Sequence, residues 1–179
     1  MRTWTTLLAL AAALFTYPCS SQPTANTAEA TAAPTEQTLA VDDARPWQET
    51  LPGGESICSD GSPYKFLTRQ GDPKKLLVYL QGGGACWFRG NCDPAMKPTY
   101  NINLAQLRGY QTGIFNLDNP SNPFKNHTVV FAPYCSGDVH IGASDTEYPG
   151  LEPDQPPLTV YHRGRANMQT VLDWTYANV

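Results

Sequence analysis

Residues 76–87 read Leu76-Leu77-Val78-Tyr79-Leu80-Gln81-Gly82-Gly83-Gly84-Ala85-Cys86-Trp87, and the fold turns on how they are understood. The first five form a continuous apolar run, long enough for a strand and too short for an independent helix. Such a run without alternation is the pattern of a strand covered on both faces of a sheet. Three glycines follow at once. Lacking Cβ atoms, they let the backbone turn sharply and aim its N–H groups into a cavity. That describes a loop built to hold an oxyanion, or a tight turn with no chemistry. A phosphate cradle fits less well, because Gly-x-Gly-x-x-Gly and the Lys-Ser/Thr ending of a P-loop are both absent.

Working outward, Tyr64 to Arg69 reads as a strand, and Gln70-Gly71-Asp72-Pro73 as the turn closing a hairpin. A second covered strand lies within His127 to Ala132, centred on Val129-Val130-Phe131. Arg163 to Tyr176 reads as a helix, with Met168, Val171, Leu172 and Thr175 at i, i+3, i+4 and i+7. Covered strands followed by helices predict an α/β fold with a mainly parallel sheet and flanking helices. Between Cys86 and Pro123 the chain is long and irregular, as lids and binding surfaces tend to be.

Composition narrows the partners. Sixteen Pro and fourteen Gly among 179 residues favour loops and turns over a helical bundle. A formal charge of -4 and no basic run longer than Lys74-Lys75 argue against a nucleic-acid partner. At the start, Arg2 precedes the apolar run Leu7 to Phe15, far shorter than the ~20 residues a membrane span needs. Residues 1–21 therefore read as an export signal. Cys19 follows that run where a lipoprotein carries its lipidated cysteine, although Thr16-Tyr17-Pro18 fits the processing site poorly; lipid-anchored and freely secreted forms both stay open. Residues 22–46, rich in Ala, Thr, Pro and Glu, read as a disordered linker. One domain then occupies 47–179, and no later stretch is apolar enough to span a bilayer.

An exported chain with five cysteines calls for pairing. Cys86 and Cys92 enclose a short loop and would pin the exit of the glycine turn; Cys58 would then pair with Cys135. Four cysteines allow three pairings, and arithmetic does not choose among them. Zinc-type spacing is missing, so no metal or other cofactor is expected. Asp138-Val139-His140 imitates a catalytic pair, but Asp138 suits accepting loop N–H bonds better. Ser62 and Ser136 beside glycines suit turns rather than a nucleophile elbow. His127 precedes a strand and His162 the last helix. Asn126-His127-Thr128 is a glycosylation sequon, relevant only to a eukaryotic secretory route.

The chain resembles the pectin acetylesterase and Notum carboxylesterase family through an ordered series of motifs. These are Cys58-Ser59-Asp60-Gly61-Ser62-Pro63, Leu80-Gln81-Gly82-Gly83-Gly84-Ala85-Cys86, Asn122-Pro123-Phe124, Pro133-Tyr134-Cys135-Ser136-Gly137-Asp138, and His162-Arg163-Gly164-Arg165-Ala166-Asn167. The form around Tyr134 to His140 is most similar to bacterial members. The resemblance implies an α/β-hydrolase that cleaves carboxylic esters through Ser, His and Asp, with the Gly83 and Gly84 amides as oxyanion donors. Family members often carry Glu at the place of Gln81 and Trp at that of Ala85, so acyl preference does not transfer. Ala85 and Trp87 are the candidate pocket residues; for Trp87 the alternative is packing over a disulfide.

No Gly-x-Ser-x-Gly elbow occurs through Val179. Since triad order in such enzymes is Ser, acid, His, the expectation is an N-terminal fragment, inactive by itself, of an extracytoplasmic esterase acting on an O-acylated carbohydrate or a similar O-acyl substrate. The alternative is a non-catalytic exported binding protein on the same scaffold. A lipase-like reading would need an apolar lid, which the Pro- and Asn-rich insert from Asn91 to Pro123 does not resemble.

Overall fold

The computed structural model describes residues 45–179. The expected export signal over 1–21, the lipidation site at Cys19 and nearly all of the 22–46 linker lie outside the described residues. Arg45, assigned to the linker by composition, belongs with the folded part: its guanidinium donates to the carbonyls of Gln70 and Lys125.

Four strands make the main sheet: β1 (Gln48–Thr50), β2 (Phe66–Arg69), β3 (Asp72–Leu80) and β4 (His127–Ala132), in the spatial order β1-β2-β4-β3. Only β3 and β4 run parallel; β1 with β2 and β2 with β4 are antiparallel. The described sheet is thus mixed, which corrects the expectation of a mainly parallel one. A separate antiparallel hairpin, β5 (Ser144–Tyr148) with β6 (Leu158–His162), leads into the helix α2 (Gly164–Asn178). A single helical turn, α1 (Arg89–Cys92), and two 3₁₀ turns punctuate the long segment between β3 and β4. No helix among the described residues is long and apolar enough to cross a membrane.

The central strand is β4, and its alternating side chains build two cores. Val130 and Ala132 pack with Phe66, Val78 and, from α2, Val171, Met168 and Trp174. Val129 and Phe131 face the other way, against Leu67, Leu77, Tyr79, Phe115 and Trp47. Each such buried aliphatic or aromatic side chain contributes roughly 1.5–3 kcal/mol, so β4 is the element on which both layers depend. By contrast, β3 is an edge strand. Leu76 and Leu80 remain 43% and 47% exposed, which corrects the expectation that this run is covered on both faces.

The hairpin expected between residues 64 and 80 does not form. β4 inserts between β2 and β3, and residues 70–72 cross the start of β4 instead of turning back beside β2. There the Gly71 N–H donates to Thr128 Oγ1, and the Asp72 N–H to the Asn126 carbonyl. A Cβ on Gly71 would collide with the His127 backbone, so glycine is required by the close crossing.

Candidate active site

The glycine loop leaves the carboxyl end of β3, next to the carboxyl end of its parallel neighbour β4. The Gln81 N–H still donates to the Ala132 carbonyl at 2.9 Å, extending the ladder one step before the chain departs. Gln81 then anchors the turn. Its Oε1 accepts from the Tyr134 N–H and Asn101 Nδ2, both at 3.1 Å, and its Nε2 donates to Tyr110 Oη at 2.8 Å. Its carbonyl faces His140 Nε2 at 3.0 Å. A carbonyl only accepts, so that imidazole nitrogen carries the proton.

Beyond Gln81 the loop is open. Gly82 and Gly83 are exposed, and their amides meet no acceptor among the described residues. Gly83 lies against the Tyr134 ring, and a Cβ there would approach Cδ1 to 2.7 Å. Gly84 is packed on Thr99, whose hydroxyl would collide with any Cβ. The Gly84 amide is also committed: it donates to the Thr99 carbonyl at 3.1 Å. Of the two amides expected to serve as oxyanion donors, that of Gly83 therefore has no acceptor among the described residues and that of Gly84 has one. Nothing in the spacing around Gly84 signals a partner fifteen residues away in an irregular loop.

Two disulfides frame the turn. Cys86 is joined to Cys92 across α1, and Cys58 to Cys135 beyond the end of β4. The Cys86 N–H donates to the Gly137 carbonyl at 2.8 Å, tying the loop's exit to the segment after β4. Asn91 Oδ1 accepts the Trp87 and Phe88 amides at 3.0 and 3.1 Å, closing the small ring. Trp87 stays 70% exposed beside Phe88, so most of its ring faces solvent instead of covering the disulfide. Ala85 is half-buried within the same turn.

Opposite the glycine loop, Asp138 organises the second wall. Its carboxylate accepts from Ser136 Oγ at 2.6 Å, the His140 N–H at 3.1 Å and the Gly164 N–H at 2.6 Å. Ser136 is therefore a buried turn hydroxyl, and Ser62 likewise donates to Asp60 within its own turn. The backbone between Asp138 and His140 is not extended. Val139 and His140 both adopt left-handed conformations, with φ of 58° and 63°. Left-handed backbone is strained for a β-branched residue, and two bonds hold it: Val139 N–H to Tyr134 Oη at 2.7 Å and His140 N–H to Asp138.

The remaining histidines are structural in their surroundings. Buried His162 donates from Nδ1 to the Ser136 carbonyl at 2.9 Å, and its Nε2 is hydrogen-bonded with Tyr148 Oη at 3.0 Å. His127 packs edge-on against Phe124 at the start of β4. Burial pushes the Tyr100, Tyr134 and Tyr148 phenols above their ordinary range, so each stays a neutral hydroxyl near neutral pH. Beside Gln81, a groove of about 400 Å³ is lined by Asn101, Asn103, Gln106, Arg108 and Tyr110. Sequence reasoning missed these residues, since they come from a loop without periodicity.

The sequence profile of the pectinacetylesterase family matches residues 49–178. Over 92 residues, 49% of this chain, it is 35% identical to the palmitoleoyl-protein carboxylesterase NOTUM of Homo sapiens, covering 18% of that protein. Similarity to the NOTUM carboxylesterase of Schmidtea mediterranea is 28% over 123 residues, 65% of this chain and 22% of the relative. A shorter relative, the inactive palmitoleoyl-protein carboxylesterase notum1b of Danio rerio, is 29% identical over 101 residues, 54% of this chain and 73% of its own length. The alignment thus spans about a fifth of the carboxylesterases it matches.

Proposed function

The chain belongs to the pectinacetylesterase family, and from that membership we propose that the whole protein is an extracytoplasmic carboxylic-ester hydrolase acting on an O-acylated carbohydrate. The observation that carries this reading is the Gly82–Gly83 turn: amides without an acceptor among the described residues, exposed at the carboxyl end of two parallel strands. In an ester hydrolase such amides stabilise the negative oxygen that develops as the carbonyl is attacked. Gly83 supplies one donor. Gly84 joins it only if the Thr99 carbonyl gives way when substrate binds.

The strand order β1-β2-β4-β3, with β2 antiparallel to its neighbours, supports the opening half of an α/β-hydrolase sheet. In this reading the Ser, His and acid are contributed by sequence beyond Val179; within the chain Ser62 and Ser136 are tied to carboxylates in turns. The groove beside Gln81, lined by Asn101, Asn103, Gln106, Arg108 and Tyr110, supports a polyhydroxylated alcohol, whose hydroxyls can pair with such polar side chains. Extracytoplasmic residence is supported by the two disulfides.

A second reading, a non-catalytic exported protein on this scaffold, is favoured by the committed Gly84 amide and by the relative whose name records inactivity. Expressing the complete gene product and assaying it on p-nitrophenyl acetate and on an acetylated polysaccharide separates the two. Saturable release of acetate from both is expected. A folded protein that turns over neither would leave the binding role.

A further inference from the structure

At the other end of β4 from the glycine loop, a cavity of about 270 Å³ is lined by Arg45, Trp47, Arg69, Gln111, Asn116 and Asp118. Arg69 closes β2 opposite Val129 and is only 4% exposed. Its guanidinium lies over the Trp47 ring, with Cζ 4.5 Å from the centroid, and donates from Nη2 to the Phe115 carbonyl at 3.1 Å. Its Nε is buried with no acceptor among the described residues. Arg45 reaches the same cavity and is held by two backbone carbonyls, and its Nε too is buried without an acceptor. Neither arginine takes part in an ion pair among the described residues.

Two permanently charged guanidinia share one cavity and face carbonyls and a ring instead of a carboxylate. Burying cations unpaired is unfavourable, and the fork of N–H donors on each matches the oxygens of a carboxylate or phosphate. The one acid in the wall, Asp118, is not within ion-pairing distance of either. We propose that this cavity is a binding site for a small oxyanion, a carboxylate or a phosphoryl group, held between Arg45 and Arg69 with Trp47 as its apolar wall. The site is separate in the chain from the ester-cleaving loop and does not depend on that assignment.

The test is calorimetric titration of the full chain with sodium acetate and, separately, with sodium phosphate, at ionic strength matched by chloride. Saturable binding of at least one is expected; the anion that saturates identifies the class. Arg45→Gln and Arg69→Gln should weaken binding about tenfold or more, as expected for losing a charge-assisted hydrogen bond, while Asp118→Asn should tighten it. Should buried Arg69→Gln fail to fold, Arg45→Gln decides. The proposal is overturned if neither anion saturates, if Arg45→Gln binds as tightly as the parent, or if binding appears only in Asp118→Asn. That last result would make Asp118 the counterion of the two arginines.

Discussion

At the residue scale, the turn after β4 stores strain that its neighbours hold in place. Val139 is exposed, so its left-handed φ is not repaid by burial of its own side chain. Left-handed backbone costs an L-residue roughly 1–2 kcal/mol, less for asparagine. Val139→Asn is therefore expected to raise stability by about 1 kcal/mol, read as a higher midpoint in urea at unchanged slope; a lower midpoint would show that the side chain contributes contacts unseen here. The neighbouring features differ in how far the sequence reveals them. Three consecutive glycines after an apolar run announce a turn that exposes amides. The engagement of Gly84 with Thr99, and the left-handed pair at Val139 and His140, arise from contacts between loops remote in sequence and leave no local trace.

At the element scale, β4 and α2 were legible because burial imposes a period on them: continuous for a strand with two covered faces, 3.6 residues for a helix with one. The hairpin of β5 and β6 was not legible. Ser144-Asp145-Thr146-Glu147-Tyr148 has the composition of a loop, and it becomes a strand only through its pairing with 158–162. The crossing at Gly71 is hidden from the local sequence for a related reason, since which strand lies beside β2 depends on residues some sixty positions later. The hairpin is fastened to the start of α2 by Arg163, whose guanidinium donates to both carboxylate oxygens of Asp145, at 2.7 and 2.6 Å, and also to Glu55. The hydrogen bonds from Arg163 hold the Asp145 carboxyl below its ordinary range. A depressed carboxylate stabilises the fold above its unfolded pKa, and that contribution disappears as pH falls through the folded value. Loss on the acid side of pH 4 is therefore expected to be steeper in the parent than in Asp145→Asn, measured by thermal melts across pH 2–6. Identical acid limbs would show the pair contributes nothing.

At the scale of the whole molecule, a mixed sheet with β4 at its centre brings two loops to one edge: the glycine turn after β3 and the Asp138 turn after β4. Disulfides at the base of each, and the Cys86 to Gly137 hydrogen bond between them, fix their spacing. Asp138 also couples this edge to α2 through the Gly164 N–H, much as a capping side chain does. Its replacement by Ala should lower stability by about 1–2 kcal/mol and loosen the turn facing Gln81, visible as faster amide exchange at His140 and Gly164. Unaltered exchange at both would contradict that coupling.

The claim on which the functional account rests is that the Gly83 N–H meets the developing oxyanion. Steady-state hydrolysis of p-nitrophenyl acetate by the complete gene product, parent against Gly83→Pro, tests it, with circular dichroism and thiol titration confirming that both are folded and oxidised. Proline removes that hydrogen but also sets a Cβ against the Tyr134 ring, so Gly83→Ala, which adds the Cβ and keeps the N–H, is the control that must retain more activity. A fall of ~10²–10³ in kcat with KM little changed is predicted; a folded variant that turns over at the parent's rate would contradict the account.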